Sequence, residues 1–269
     1  MPKSTQQEHP ETVLITGASS GIGLELARCF AKDKSKLILT ARNLSALEKL
    51  ATELREQYQV KVFALPADLS KPETPKKLFN ELKDRGISVD VLVNNAGFGL
   101  HGNFSQLPLD QQMEILQVNI AGLVHLTGLF LPRMLKTKAG GILNVGSVAG
   151  FLPGPNMAIY YASKAFVLSF SEALHEEIRG TRVTVTNLCP GPTETNFSTV
   201  ARSHRRRISQ SKKMSAAEVA RIGHSDFRNG KCLSIPGFKN ALMTTLAGRI
   251  LPRTIVRKLS GYYNKLEEE

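Results

Sequence analysis

The sequence predicts an α/β domain, a parallel sheet with helices on both faces. Two patterns carry that expectation. Short apolar runs alternate with amphipathic stretches of roughly ten to twenty residues, the order of repeated strand–helix–strand units. The strand runs are near-continuously apolar, as in VLIT and KLILTA, which suits strands covered on both faces. A chain of 269 residues fits one such domain better than two.

In chain order, the strand runs are Thr12–Thr16, Leu37–Ala41, Val60–Leu65, Val89–Val93, Gly141–Gly146, Arg182–Leu188 and Lys231–Ile235. Between them the apolar spacing predicts helices over Ile22–Asp33, Leu44–Tyr58, Pro72–Arg85, Pro108–Lys136 (broken or paired) and Met157–Arg179. The polar, basic stretch at about 192–230 has no strand pattern and reads as an insertion over the sheet edge, a place that carries substrate contacts. Residues 1–10 form an N-terminal extension, 11–236 the domain, and 237–269 a basic helical extension. In that extension Leu242, Leu246 and Ile250 recur at spacing four beside Met243, Ala247 and Leu251. Pro252 suits the first turn of a second helix, with Ile255, Val256 and Leu259 on one face and Arg253, Arg257 and Lys258 elsewhere. Two readings stay open: helices packed on the domain or a sister subunit, or a peripheral surface for anionic lipid or an acyl carrier.

The net charge of +12 is unevenly spread. Residues 1–200 hold 20 Lys and Arg against 18 Asp and Glu, whereas residues 201–269 hold 15 against 5. SHRRR (203–207) and SKK (211–213) lie in that last quarter, which points to an anionic partner or to a merely solubilising surface. Nucleic acid is not expected, because no recognition motif or interleaved aromatics accompany the basic residues. The N-terminus lacks the apolar core of a signal peptide, and the longest apolar run, Ile120–Leu131, is too short to span a bilayer and contains His125. A cytoplasmic protein is the simplest expectation. Cys29, Cys189 and Cys232 stand far apart, as do the six histidines, so neither a disulfide framework nor a metal site is predicted.

The chemistry concentrates in GSVAGFLPGPNMAIYYASK. Tyr160 and Lys164 lie four apart on a predicted helix and share one face. A phenol with a reference pKa of about 10 holds its proton tightly at neutral pH. A nearby ammonium favours the phenolate and makes the hydroxyl usable as proton donor and acceptor. Ser147, just past a strand, is placed to hold a carbonyl oxygen beside it. Alone, such a pair could simply snorkel together on a helix surface. Upstream, TGASSGIG (16–23) joins the first strand to the first helix, so its glycines permit a tight turn and close approach of backbone to a pyrophosphate.

TGASSGIG, Asp68, NNAG (94–97), Asn119, Ser147, Tyr160-x-x-x-Lys164 and Pro190–Thr195, in this order, resemble the short-chain dehydrogenase/reductase family over roughly residues 10–200. The resemblance implies a single Rossmann-type, doubly wound sheet of seven parallel strands in the order 3-2-1-4-5-6-7. It implies homodimers or homotetramers built through the helices near 108–136 and 157–179. It assigns Gly17, Ser19, Ser20, Gly21, Ile22 and Gly23 to the diphosphate turn and adenosine ribose, and Asp68, with Leu69 beside it, to the adenine. Asn95, Ala96 and Gly97 would line the ribose side, and Pro190, Gly191, Thr193 and Thr195 would close over the nicotinamide. Asp68 also reads as a helix N-cap, and Asn94 and Asn95 as turn formers.

The second strand ends in Thr40-Ala41-Arg42-Asn43, with no carboxylate for a ribose 2′-hydroxyl and a guanidinium suited to a 2′-phosphate. NADP is therefore expected over NAD, although Ser20 stands where NADP-preferring relatives often carry a basic residue. The resemblance gives Tyr160 as proton donor, Ser147 as holder of the carbonyl oxygen, Lys164 as tuner of the phenol and ribose ligand, and Asn119 as holder of a relay water. Tyr161, out of register, reads as packing. Phe98, Leu100, Phe104, Phe151, Leu152 and Phe197 suggest an apolar pocket. The expectation is an NADPH-dependent carbonyl reductase for an apolar oxo substrate with an anionic handle, such as a 3-oxoacyl thioester, or for a sterol or long-chain aldehyde. The alternative is a dinucleotide-sensing regulatory or scaffold protein without catalysis.

Overall fold

The computed structural model describes residues 10–197, 201 and 213–265. The chain runs β1 (Thr12–Thr16), α1 (Gly21–Lys32), β2 (Lys36–Ala41), α2 (Leu44–Tyr58), β3 (Val62–Pro66) and α3 (Thr74–Asp84). It continues through β4 (Val91–Asn94), α4 (Leu109–Leu116), α5 (Leu123–Thr137), β5 (Gly141–Val145), α6 (Ala158–Glu177) and β6 (Thr184–Leu188). The last part holds β7 (Thr193–Glu194), β8 (Met214–Ser215), α7 (Ala216–Arg228), β9 (Leu233–Ser234), α8 (Phe238–Thr245) and α9 (Arg253–Asn264). Seven strands form one parallel sheet in the order β3-β2-β1-β4-β5-β6-β9. The order reverses between β1 and β4, which opens a crevice at the carboxyl ends of the strands.

Strand periodicity divides the core. Val13 and Ile15 of β1 face one layer, with Leu26, Phe30, Leu47, Leu54 and Phe227 from α1, α2 and α7. Leu14 faces the other, with Leu78, Leu126, Phe130 and Met134 from α3 and α5. Burial of one such side chain contributes roughly 1.5–3 kcal/mol.

The expected elements are all present, with ends shifted by at most two residues, and several details differ. The helix expected from Pro72 begins at Thr74 with Pro75 in its first turn. Asp68 therefore does not cap it; its Oδ1 instead accepts from Ser70 N (3.1 Å) in a local turn. The stretch near 108–136 is one 29-residue helical run, Leu109–Thr137, interrupted only by a π turn at Gln117–Gly122. By length and composition alone it is long enough to cross a membrane, an 18-residue window within it having a mean hydropathy of 1.5, which Ile120–Leu131 alone did not suggest. Leu126, Phe130 and Met134 on this run pack against the sheet, as in a core helix.

The stretch 192–230 is not strand-free. β7 pairs in parallel with β8, and α7 packs across α1, with the Phe30 and Phe227 rings 6.1 Å apart. Arg228 of α7 joins Glu11 (2.8 Å) and Asp33 (3.0 Å). Most of the expected extension 1–10 and the whole SHRRR run lie outside the described residues.

Candidate active site

The turn after β1 takes its shape from glycine. Gly17 and Gly21 adopt φ of +65° and +56°, and a Cβ on Gly17 would stand 2.8 Å from Asn95 Nδ2 and 2.9 Å from Ala96 Cα. The region is open to glycine and strained for other residues. Ser20 sits at the N-cap of α1 without a capping bond, so the first-turn N–H groups remain available to an anion. Gly23 allows the helix to approach Gly17 and Asn95 below the turn.

Polar bonds lock the neighbouring NNAG segment to this turn. Asn95 N and Ala96 N both donate to Thr16 Oγ1 (3.0 Å each), and Asn95 Nδ2 donates to Thr16 O (2.9 Å) and Gly17 O (3.1 Å). Asn94 instead points into the sheet, donating to Asn144 Oδ1 (2.9 Å) and Thr127 Oγ1.

The crevice is a cavity of about 440 Å³. Gly17, Ser19, Ser20, Gly21, Ile22, Arg42, Asn43, Asp68, Leu69, Asn95, Ala96, Gly97, Ser147, Tyr160, Lys164, Pro190, Gly191, Thr193 and Thr195 all line it. Gly23 and Asn119 stand behind the wall. Arg42 is exposed at one end, while Asn43 caps α2 by accepting from Ala46 N (3.0 Å). Burial pushes the Asp68 carboxyl up, but hydrogen bonds from Ser70 and the charges of Arg42 and Lys71 outweigh it and hold the carboxyl below its ordinary value. Thr195 leans over the glycine turn, its Cγ2 3.0 Å from where a Cβ of Gly21 would lie.

Tyr160 and Lys164 project from one face of α6, with Lys164 Nζ 5.9 Å from the centre of the Tyr160 ring. Lys164 is buried and donates to Val145 O (2.8 Å). Burial pushes its pKa down to about 8, partly offset by Cys189. Cys189 lies beneath; burial pushes its thiol up to about 12, against the Ser147 N–H and the Lys164 charge, so it is no thiolate nucleophile at neutral pH. Ser147 sits just past β5, its Oγ accepting from Ala149 N (3.1 Å) and donating weakly to Pro190 O (3.5 Å).

Asn119 lies in the π turn, fully engaged. It donates to Phe98 O and Ser163 Oγ (3.0 Å each) and accepts from Phe98 N (3.1 Å). It thereby ties the loop after β4 to the turn of α6 that carries Tyr160, since Ser163 donates to Tyr160 O (2.7 Å). Tyr161 also touches the cavity wall, but its ring is buried and its hydroxyl donates to Asn264 Oδ1 (3.1 Å), away from Lys164.

Of the apolar candidates, Phe98, Leu152 and Phe197 line the cavity, with the Phe197 ring 5.1 Å from that of Tyr160. Leu100 is buried elsewhere, Phe104 is exposed, and Phe151 does not reach the wall. Sequence reasoning missed Lys213 and Met243 as lining residues. Lys213 carried a weak signal in the SKK run. Met243 carried none, because its place depends on how α8 crosses the cavity mouth.

Fold and site together define a dinucleotide-binding oxidoreductase of the Rossmann type. The sequence profile described as short chain dehydrogenase matches residues 11–206, and the chain belongs to that family. It is an NAD(P)-dependent oxidoreductase acting on hydroxy or oxo groups. The NADP-dependent 3-hydroxy acid dehydrogenase of Schizosaccharomyces pombe is 38% identical over 192 residues, 71% of this chain and 74% of that protein. A short-chain dehydrogenase from Sphingobium yanoikuyae, in complex with NADPH, superposes with a TM-score of 0.79 at 32% identity, covering 90% of this chain and 96% of that one. A Burkholderia phymatum short-chain dehydrogenase/reductase in complex with NAD gives a TM-score of 0.80 at 26% identity, covering 97% and 98%.

Proposed function

We propose that the protein is an NADPH-dependent carbonyl reductase for an apolar oxo substrate bearing an anionic group. The observation that carries this reading is the Tyr160–Lys164 face of α6, presented to the cavity beside Ser147. When bound, the reduced dinucleotide supplies a hydride to the carbonyl carbon. Tyr160 donates its proton to the carbonyl oxygen, and Ser147 Oγ holds that oxygen in line. Lys164, protonated below about pH 8, lowers the phenol's hold on its proton and stands ready for the ribose hydroxyls. Asn119 fixes the loop at Phe98 and the Tyr160 turn against each other, so the proton donor stays in place.

The phosphate-bearing cofactor is supported by Arg42. It lines the adenosine end, and among the described residues it has no salt-bridge partner. A guanidinium there matches a 2′-phosphate bidentately. Lys213 is the third cation on the cavity wall, beside Arg42 and Lys164, and supports the anionic handle. The Schizosaccharomyces pombe relative, by its name an enzyme of 3-hydroxy acids, fits such a handle. Exposed Leu109, Met113, Val124 and Phe166 on α4–α6 support a homodimer or homotetramer through that face.

The test is a panel of ketones, aldehydes, 3-oxo acids and 3-oxoacyl thioesters followed by loss of NADPH absorbance. Turnover is expected for the apolar anionic members. Tight NADPH binding with no turnover of any member would favour a sensing protein instead.

A further inference from the structure

We propose that the outer face of α8 and α9 is a docking surface for an anionic membrane. Thirteen large apolar side chains are exposed among the described residues, and seven of them fall between 238 and 263. Phe238 (82% exposed), Leu242 and Ile250 (65%) recur along α8 and the π turn after it. Ile255, Leu259, Tyr262 and Tyr263 recur at helical spacing along α9.

The orientation of α9 is the informative point. A surface helix of a globular protein normally turns its apolar stripe inward. Here the inward edge is Val256, Ser260 and Asn264, mostly small or polar. That edge is held by polar bonds, with Asn264 O at 2.7 Å from His101 Nε2 and Asn264 Oδ1 accepting from Tyr161. The helix is therefore anchored by its polar side and presents its apolar side outward.

The charge around this face selects the partner. Residues 237–265 contain six Lys and Arg and no Asp or Glu; the only carboxylates beyond Asp226 are Glu267–Glu269. Among the described residues none of Lys239, Arg253, Arg257, Lys258 and Lys265 has a carboxylate partner. Apolar area ringed by unpaired cations drives binding to the interface of an anionic bilayer, and tyrosines favour the headgroup level. A second copy of this chain would set the cations against one another. The inner side of α8 carries Met243 on the cavity wall, so the same helix borders both the membrane face and the site. The surface stands or falls independently of the carbonyl-reductase reading, because its test needs no turnover.

The test is sedimentation of the full chain with vesicles of phosphatidylcholine, with and without phosphatidylserine, at low and high salt. The expected result is partition at least about tenfold stronger onto the phosphatidylserine vesicles, lost at high salt, since each basic residue contributes roughly a fivefold factor at such a surface. Leu259→Glu and the pair Arg257→Glu/Lys258→Glu should each lose about tenfold or more in partition while NADPH affinity stays unchanged. Equal partition onto both vesicle types overturns the proposal, as does wild-type partition in both variants. Absence of vesicle binding, with a drop in particle mass on Leu259→Glu, would assign the face to a second copy instead.

Discussion

The two ends of the cavity are built by different means. The nucleotide end is backbone: a left-handed turn at Gly17 and Gly21, an uncapped helix start, and a loop bonded to that turn through Thr16 and Asn95. The substrate end is side chains from distant segments, with Phe98 after β4, Phe197 after β7, Lys213 before β8 and Met243 on α8. Backbone geometry tolerates almost no substitution, whereas a wall of side chains can be repainted without disturbing the sheet. The nucleotide end therefore fixes the class of reaction, and the substrate end fixes which molecule undergoes it.

The proton donor belongs to neither end, and its loss should have the largest effect. Tyr160→Phe is expected to lower kcat by about 10²–10⁴ while NADPH affinity changes only a few-fold, read by stopped-flow turnover and fluorescence titration. Retention of more than about a tenth of kcat would remove Tyr160 from the chemistry.

Gly17→Ala probes the backbone end. The substituted residue must take a left-handed φ and crowd Asn95 and Ala96. Chemical denaturation should show a loss of about 1–3 kcal/mol, accompanied by weaker NADPH binding. A variant as stable as the wild type would mean that the turn relaxes, and the contrast between the two ends would shrink.

Arg42→Ala should weaken NADPH against NADH by at least about tenfold, because a charge-assisted bond contributes roughly 1.5–3 kcal/mol. Equal weakening of both cofactors would leave Arg42 as a surface charge.

Comparable in size is a pH effect. Lys164 is charged below its lowered pKa of about 8 and neutral above it. For reduction, kcat/KM should be flat below that value and fall about tenfold per pH unit above it. A profile that stays level through pH 9 would separate Lys164 from the proton transfer.

The smallest change is expected at Lys213. Lys213→Ala should raise KM about fivefold or less for an anionic substrate, leave a neutral ketone unaffected, and leave NADPH affinity intact. A change in NADPH affinity alone would move Lys213 to the nucleotide end.

This division also explains what could be read from the chain. The strand runs, the glycine turn and the Tyr160–Lys164 face follow from local patterns, since a run such as TVLIT or a spacing of four is visible without tertiary context, whereas the sheet order comes only with the family resemblance. Asp68 looked like a helix cap because Lys71 and Pro72 follow it, but a further turn intervenes before α3 starts. α7 was hidden within a basic stretch, because the signal of its inward face, Val219, Ala220, Gly223 and Phe227, is small and spread over three turns. The apolar stripe of α9 was visible, but not which way it faced; that depends on Asn264 meeting His101 and Tyr161, more than a hundred residues away.

The π turn at Gln117–Gly122 makes the long helix a record of its own length. Such a turn holds one residue more than an α turn, and the surplus is taken up locally while the flanking segments keep their faces. Asn119 occupies that wider turn, from which it reaches both Phe98 and Ser163. A chain shorter by one residue here could close the gap as regular helix and still lay Leu126, Phe130 and Met134 on the sheet. It would keep its core and lose the brace behind its tyrosine. At this point the number of residues, as much as their kind, is part of the site.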